Sequence, residues 1–228
     1  IAGALDAYSM SNTVGQWMRS IPGIGPVIAA GFMAHLDIAP WRCHNVALKG
    51  TKNLPCTAEK GACTDNCGHE PINYAGQWHT FAGLNPRIQW EKKTRRPWNT
   101  ALKTLCFKLG ESFVKVQNHK DDFYGQIFVE RKSQEWERNF NGENAKAAEL
   151  ALKKNIGKNT NAYKWYSGAV SSKWARSEWE SEKKGQKFGG ATLPKKAIAE
   201  DGTPMLPPAH IHARARRYVA KLFLFHLH

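Results

Sequence analysis

The chain has 228 residues, and its 33 lysines and arginines against 19 aspartates and glutamates give a formal net charge of +14 with histidines neutral. Hydrophobic residues make up 42% of the chain and charged residues 23%, which is ordinary globular usage and excludes a wholly disordered, collagen-like or coiled-coil protein. The excess of positive charge favours a polyanionic partner.

The sequence contains no signal for a membrane or for export. No run of the roughly 18 apolar residues that a membrane helix needs is present, so we expect no membrane partner. The N-terminal region lacks the basic start and apolar stretch of a secretory signal, which favours a cytoplasmic protein. Because the chain starts at Ile1 rather than at Met and stops inside an apolar helical pattern at 222–228, we expect it to be part of a longer protein.

A helix, a tight turn and a second helix are predicted near the start of the chain. Apolar residues flank the turn Ile21-Pro22-Gly23-Ile24-Gly25-Pro26, which is the helix-hairpin-helix pattern, here over residues 15–37. Two glycines would let a phosphate approach the backbone, and the following helix would direct its amides at the anion. We therefore expect phosphate binding by Gly23, Ile24, Gly25 and Pro26; the alternative is a tight connection that only packs two helices.

The rest of the chain predicts a mostly α-helical fold with a cysteine-containing loop and a basic C-terminal helix. Apolar residues at helical spacing predict a helix from Trp98 to Val116, and Asp121 or Asp122 could cap another to about Asn139. A third helix is expected over Glu143 to Ile156. The expected division is a helical DNA-engaging domain at 1–166, a flexible arm or insertion at 167–206, and a C-terminal helix at 207–228 that packs back or onto a partner.

Basic residues are interleaved with tryptophans after the first helices. Cations can neutralise phosphates, and the indoles of Trp90 and Trp98 could stack on unpaired bases or anchor the segment in a core. The last helix carries further arginines, for which an ordinary solvated face is the alternative. The residues predicted to bind DNA outside the turn are Arg87, Lys92, Lys93, Arg95, Arg96, Arg214 and Arg217.

The metal candidates are in the cysteine loop. Cys56, Cys63, Cys67 and His69, with Cys43-His44 upstream, offer the thiolates and imidazole that zinc prefers. Their spacing matches no standard zinc knuckle, so a structural zinc ion and free thiols in a loop both remain open. Cys106 lies on the apolar stripe of its helix and is expected in the core.

The chain offers no predictable catalytic set. Magnesium-dependent hydrolysis or phosphoryl transfer needs several carboxylates that converge on one point, and the acidic residues here are scattered beside turns and caps. No phosphate-binding Walker loop and no nucleophile elbow is present. No cofactor is therefore assigned to this chain.

Three segments in a fixed order resemble a known family. They are the turn Ile21 to Pro26, the segment Phe81-Ala82-Gly83-Leu84-Asn85-Pro86, and the helix from Trp98 to Val116. Together they resemble the C-terminal half of bacterial insertion-sequence transposases of the family numbered one hundred and ten, over about residues 15–120. The segment Leu206-Pro207-Pro208-Ala209-His210-Ile211-His212 is similar to the closing helix of some members.

The resemblance implies DNA transposition and recombination by a mostly helical domain that forms homo-oligomers on DNA, with a guide RNA choosing the sites in some members. It also implies a RuvC-like nuclease half with four acidic residues and Mg²⁺, which have no matching positions in this chain. In the family a serine follows the Gly-Leu-x-Pro segment as the nucleophile. Here Arg87-Ile88-Gln89-Trp90-Glu91 follows Pro86, and Thr94 and Ser112 are the nearest hydroxyls.

The sequence thus predicts the DNA-binding C-terminal region of an insertion-sequence transposase. Its enzyme class follows from the resemblance alone, since neither the acidic set nor the serine is found. The alternative is a non-catalytic helix-hairpin-helix protein that binds nucleic acid as an accessory factor, and a zinc-stabilised adaptor is a third hypothesis.

Overall fold

The computed structural model describes residues 1–36, 41–43, 69–71, 74–88, 90–153, 156–157, 159–167, 170–171, 197–199 and 202–228. Within these ranges the protein is mostly α-helical, as the sequence predicts. None of the helices in these ranges is both long and apolar enough to cross a membrane. The helices are α1 (Ala2–Ser9), α2 (Thr13–Ser20), α3 (Pro26–His35), α4 (Ala75–Phe81), α5 (Thr100–Lys115), α6 (Phe123–Phe140), α7 (Ala145–Leu152), α8 (Asn161–Ser167) and α9 (Pro208–Leu227).

Two short strand pairs accompany the helices. Strands β1 (Trp41–Cys43) and β2 (His69–Pro71) are antiparallel, and their register sets Cys43 opposite His69. Strands β3 (Val170–Ser171) and β4 (Ala197–Ile198) are parallel. Neither pair was predicted from the sequence, because strands of two or three residues are too short for an alternating pattern to be visible.

The chain forms two compact units. The first unit comprises Ile1–Tyr124 and Val219–His228, and the second comprises Gly125–Tyr218. This division differs from the expected boundaries at 166 and 206. Helices α6 and α9 each run on from one unit into the other, so neither boundary coincides with a loop or with a change of composition.

Aromatic side chains build the core of the first unit. Phe223 of α9 lies at its centre, with ring centroids 5.1 Å from Phe32, 6.2 Å from Phe113 and 5.8 Å from Tyr124. Helix α5 begins at Thr100, two residues after the predicted start at Trp98, because the Asn99 side chain caps it by accepting a hydrogen bond from the Leu102 amide at 3.0 Å. Its apolar stripe is buried, including Cys106 as expected.

The segment Ile21 to Gly25 connects helices α2 and α3 in the first unit. Helix α2 ends at Ser20, and Ile21 leaves the helical region with φ −85° and ψ 123°, as expected of a residue before proline. Pro26 then occupies the first position of α3, where its missing amide hydrogen would have had no intrahelical partner.

The core of the second unit contains part of the predicted arm. Met205 and Leu206 are buried among Trp136, Phe140 and Trp165. The Asn139 side chain binds the Leu206 backbone twice: its amide donates to the carbonyl at 3.0 Å and its oxygen accepts from the Leu206 amide at 2.8 Å. The C-terminal end of segment 167–206 is therefore part of the core, and the expectation of a flexible arm does not hold there. The rest of that segment lies largely outside the described residues.

Helix α7 is shorter than the predicted helix over Glu143 to Ile156. Gly142 adopts a left-handed φ of 75° and ends α6 in a turn, which favours glycine over other residues. Glu143 lies in that turn, and its carboxylate accepts a hydrogen bond from Arg138 Nε at 2.8 Å. Glutamate favours helices, but Glu143 lies in the turn between α6 and α7, where it forms an ion pair with Arg138.

Candidate nucleic-acid interface

The glycine turn between α2 and α3 packs on α5 at Gly23. The φ of Gly23 is +87°, which disfavours any residue with a side chain. Its carbonyl accepts a hydrogen bond of 2.5 Å from Ser112 Oγ, and a Cβ at this position would lie 3.0 Å from Val116 Cγ2. Gly23 therefore fixes the turn on the core and has little room for a ligand.

The other side of the turn is open. A Cβ added at Gly25 would meet no atom within 4 Å, and the residue is half-buried. No hydrogen bond joins the Gly25 or Val27 amide to the described part of the chain. Of the four residues predicted to bind phosphate, Ile24 has its side chain in the core, whereas Gly25 and Pro26 stand at the accessible N-terminus of α3.

The connection from α4 to α5, residues 82–99, forms what we call the basic loop. Its ends are held together by a hydrogen bond of 2.9 Å from the Asn99 amide to the Phe81 carbonyl. Trp98 packs so closely on Gly83 that a Cβ there would lie 2.7 Å from the indole Cγ. Lys103 Nζ lies 4.0 Å from the centroid of the Trp98 ring, so Trp98 anchors the base of the loop.

The tip of the basic loop is folded around Trp90. The indole Nε1 donates to the Thr94 carbonyl at 2.9 Å, and the Thr94 amide donates to the Glu91 carbonyl at 3.2 Å. Lys93 completes this turn with φ +76°, and the guanidinium of Arg96 lies 5.2 Å from the Trp90 ring centroid. Trp90 nevertheless remains 39% exposed.

The five cations of the basic loop are all exposed. Within the described ranges, none of them forms an ion pair with a carboxylate. Their charges could therefore interact with phosphates. All five of these residues were predicted from the sequence to bind DNA. They are Arg87, Lys92, Lys93, Arg95 and Arg96.

The two hydroxyls nearest the expected nucleophile position are both engaged with backbone. Ser112 Oγ donates to the Gly23 carbonyl, and Thr94 Oγ1 donates to the Glu91 carbonyl at 2.8 Å. Neither has a general base within hydrogen-bond reach in the described part of the chain. Ser112 holds the glycine turn on α5, and Thr94 stabilises the tip of the basic loop.

The arginines of α9 belong to the second unit, and one has a structural partner there. Arg214 Nε lies 2.8 Å from Glu135 Oε2, and that carboxylate also receives Arg131 at 2.6 Å and Arg138 at 3.6 Å. Glu135 is only 1% exposed, whereas the three arginine side chains are partly exposed, so the cluster is a partly buried ion-pair network. The hydrogen bond from Arg138 to Glu143 raises the pKa of Arg138 further.

Arg217 differs from Arg214 in its surroundings. The residue as a whole is exposed, and its Nε donates to the Ala213 carbonyl at 3.2 Å. Desolvation of the guanidinium, followed by repulsion from Arg214 and Arg216, lowers the pKa of Arg217. The Glu135 carboxylate partly offsets this repulsion.

The predicted metal set cannot be assembled from the described residues. Cys56, Cys63 and Cys67 lie outside them, and His69 is described only as backbone in β2. Among the residues whose side chains are described, no group of three or more His, Cys, Asp or Glu could hold a metal ion. Burial raises the pKa of the Cys106 thiol to about 12, so it stays protonated at neutral pH.

A cleft of about 290 Å³ in the first unit was missed at the level of sequence. Its walls come from α2, from the start of α6 and from the end of α9, which are about a hundred residues apart in the chain. No local pattern could have indicated it. The residues that line the cleft are Trp17, Ser20, Ile21, Pro22, Asp121, Phe123, Tyr124 and His226.

Comparisons of the chain with protein-family models, with curated proteins and with solved structures found no match. The assignment of a function therefore depends on the charges and contacts of the residues themselves.

Proposed function

We propose that this protein binds DNA through the basic loop and acts as the DNA-binding C-terminal region of an insertion-sequence transposase. The observation that carries the proposal is the set of five exposed cations in the basic loop, which no carboxylate of the described residues neutralises. Each phosphate that such a cation neutralises releases condensed counterions, which is the main driving force of sequence-independent DNA binding.

The open side of the glycine turn supplies a second contact. The amides of Gly25 and Val27 lie at the positive end of the α3 dipole, where an anion is stabilised. A phosphate there would meet no side chain at Gly25, since the space beside its Cα is empty. This contact reads no base, and it suits a protein that binds many sequences.

The transposase part of the proposal rests on the order of the three family-like segments. All three fall in the first unit, so the turn, the basic loop and α5 belong to one folded body. The Ser112 bond to Gly23 further joins the first segment to the third. The Mg²⁺ of the family belongs to its nuclease half, and the described residues here include no acidic cluster that would hold it.

The second candidate is a non-catalytic accessory protein that binds nucleic acid. The observation that favours it is that Thr94 and Ser112, the hydroxyls nearest the expected nucleophile position, both donate to backbone carbonyls. Both candidates share the DNA-binding surface. Strand-transfer activity of the natural full-length protein on its own element ends would favour the transposase.

The DNA-binding surface is tested by replacing Lys92, Lys93, Arg95 and Arg96 together with Ala. Four lost phosphate contacts should lower the slope of log K against log salt by up to about 3.6, because each contact contributes about 0.9. The matched control replaces four other exposed lysines, Lys108, Lys120, Lys146 and Lys153, and removes the same charge. Fluorescence anisotropy of a labelled duplex over about 50 to 200 mM salt measures both variants. Equal slopes for the two variants would reject the basic loop as the binding surface.

A further inference from the structure

We propose that the cleft of the first unit binds one unpaired nucleobase. This inference rests on the proposed function, because it adds a base-binding site to a surface that holds phosphates. At about 290 Å³ the cleft lies at the small end of ligand pockets, which suits a single ring system rather than a peptide.

Exposed aromatic rings stand in the walls of the cleft. Trp17 is 38% exposed although Phe223 stacks beside it at 5.8 Å, and Phe123 is 52% exposed. Tyr124 meets Phe123 edge-on at 5.3 Å, and His226 lies 6.0 Å from Phe123. Rings held by packing and still accessible lose little entropy when a base stacks on them.

Polar groups in the cleft favour a neutral base over a phosphate. The Asp121 carboxylate is mostly exposed, and it would accept hydrogen bonds from exocyclic amino groups but repel an anion. Tyr124 Oη and His226 Nδ1 lie 2.8 Å apart, which holds the imidazole beside the Tyr124 ring, and both residues line the cleft. Burial raises the pKa of Tyr124 to about 12, so its hydroxyl keeps its proton.

The cleft is continuous with the glycine turn. Ile21 and Pro22 line it, and Gly25 follows three residues later, a reach of at most about 11 Å along the chain. A strand whose phosphate lies at the N-terminus of α3 could therefore place an adjacent base between Trp17 and Phe123. The site requires an unpaired base, because a base within a duplex has both faces covered by its neighbours.

The test uses a short single-stranded oligonucleotide that contains 2-aminopurine, whose fluorescence falls when it stacks. Phe123→Leu keeps an apolar side chain but removes the ring, and should weaken single-strand binding about tenfold and abolish most of the quenching. Phe123→Trp should restore both, and duplex binding should not change. Phe107→Leu is the matched control, since Phe107 is also about half exposed and lies outside the cleft. Thermal unfolding checks that each variant is folded. If Phe123→Leu does not fold, Trp17→Leu takes its place in the same measurements.

The outcomes separate this inference from the proposed function. Suppose that the four-cation variant loses DNA binding, whereas Phe123→Leu binds the single strand and quenches 2-aminopurine as the wild type does. The base-binding role of the cleft is then rejected, and the proposed function stands. If the four-cation variant binds DNA normally, the proposed function fails. Quenching of the free 2-aminopurine nucleoside by the wild type, and its loss in Phe123→Leu, then still decides whether the cleft takes a base.

Discussion

Gly23 and Gly25 lie in the same turn but differ in backbone conformation and in the space around them. Gly23 combines a φ of +87° with a close approach to Val116 and Ser112, whereas Gly25 has a φ of −87° and empty space beside it. We expect Gly23→Ala to lower the free energy of unfolding by about 1–3 kcal/mol, because it adds backbone strain and a steric clash. Gly25→Ala should change it by less than about 0.5 kcal/mol. Urea unfolding of the two variants measures the difference.

The same pair also separates stability from binding. A methyl group at Gly25 would occupy the space through which a phosphate reaches the α3 amides, so Gly25→Ala should weaken DNA binding while the fold is kept. Normal binding by Gly25→Ala would show that the turn serves only to pack α2 against α3.

His79 predicts a pH dependence of stability. Burial lowers the pKa of His79 below its ordinary value of 6.5, while Nε2 lies 2.9 Å from the Lys221 carbonyl and the Lys221 charge adds repulsion. The unfolded state therefore binds the proton more readily, and stability rises with pH between the folded pKa and 6.5. The contribution of His79 is complete above 6.5 and is lost as the pH falls through the folded pKa.

Urea unfolding at several pH values from mildly acidic to neutral measures this effect. Replacement of His79 by Gln, which cannot be protonated, should flatten the dependence in that window. His119→Gln is the matched control, because His119 is exposed. The same pH dependence in His79→Gln and the wild type would assign the effect to other groups.

At the scale of elements, one carboxylate joins α6 to α9 in the second unit. Glu135 is buried, and Arg131 and Arg214 contact its two oxygens at 2.6 and 2.8 Å. Glu135→Gln leaves the guanidiniums without their counter-charge, and we expect a loss of about 1–3 kcal/mol. The arginines are partly exposed and can regain water, which keeps the loss below that of a fully buried pair.

Glu149→Gln on α7 is the control for this charge removal. Glu149 is exposed, and its replacement should change stability by no more than about 0.5 kcal/mol. Chemical unfolding followed by circular dichroism compares the two variants. If Glu135→Gln were as stable as Glu149→Gln, Arg214 would be free of a structural role and the sequence-based prediction that it binds DNA would gain support.

The elements also show which local patterns are informative. Helix α5 follows from a long apolar stripe that is visible in the sequence, whereas its start at the Asn99 cap was found only in the structure. The segment before α9 is rich in Ser, Gly, Lys and Pro, yet Met205 and Leu206 are core residues. The Met205 carbonyl accepts a hydrogen bond from Trp165 Nε1, and the Leu206 backbone pairs with the Asn139 side chain. Asn139 and Leu206 are 67 residues apart in the chain, so the local amino-acid composition could not predict their pairing.

At the scale of the whole molecule, the chain has a net charge of +14, and its described residues include two kinds of cation. Some, such as Arg19 with Asp6 and Arg131 with Glu135, form ion pairs. Others stand exposed on the basic loop. Binding through such free cations should be strongly salt-dependent and nearly independent of sequence, since phosphate contacts carry no sequence information.

Two short duplexes of the same length and unrelated sequence test this expectation. Their affinities should agree within about tenfold, and both should fall steeply over about 50 to 200 mM salt. A large preference for one duplex that persists at high salt would show that base edges are read and would contradict the proposed mode of binding.

The sequence by itself determined the helical class, the approximate position of α5 and the list of candidate cations, because each depends on residues near one another in the chain. Only the tertiary structure decided which cations are free and which are paired, that Gly23 serves packing while Gly25 stays open, and that Trp17, Phe123 and His226 share a cleft. Burial, ion pairing and cleft formation depend on contacts between distant segments, and a local pattern does not record them.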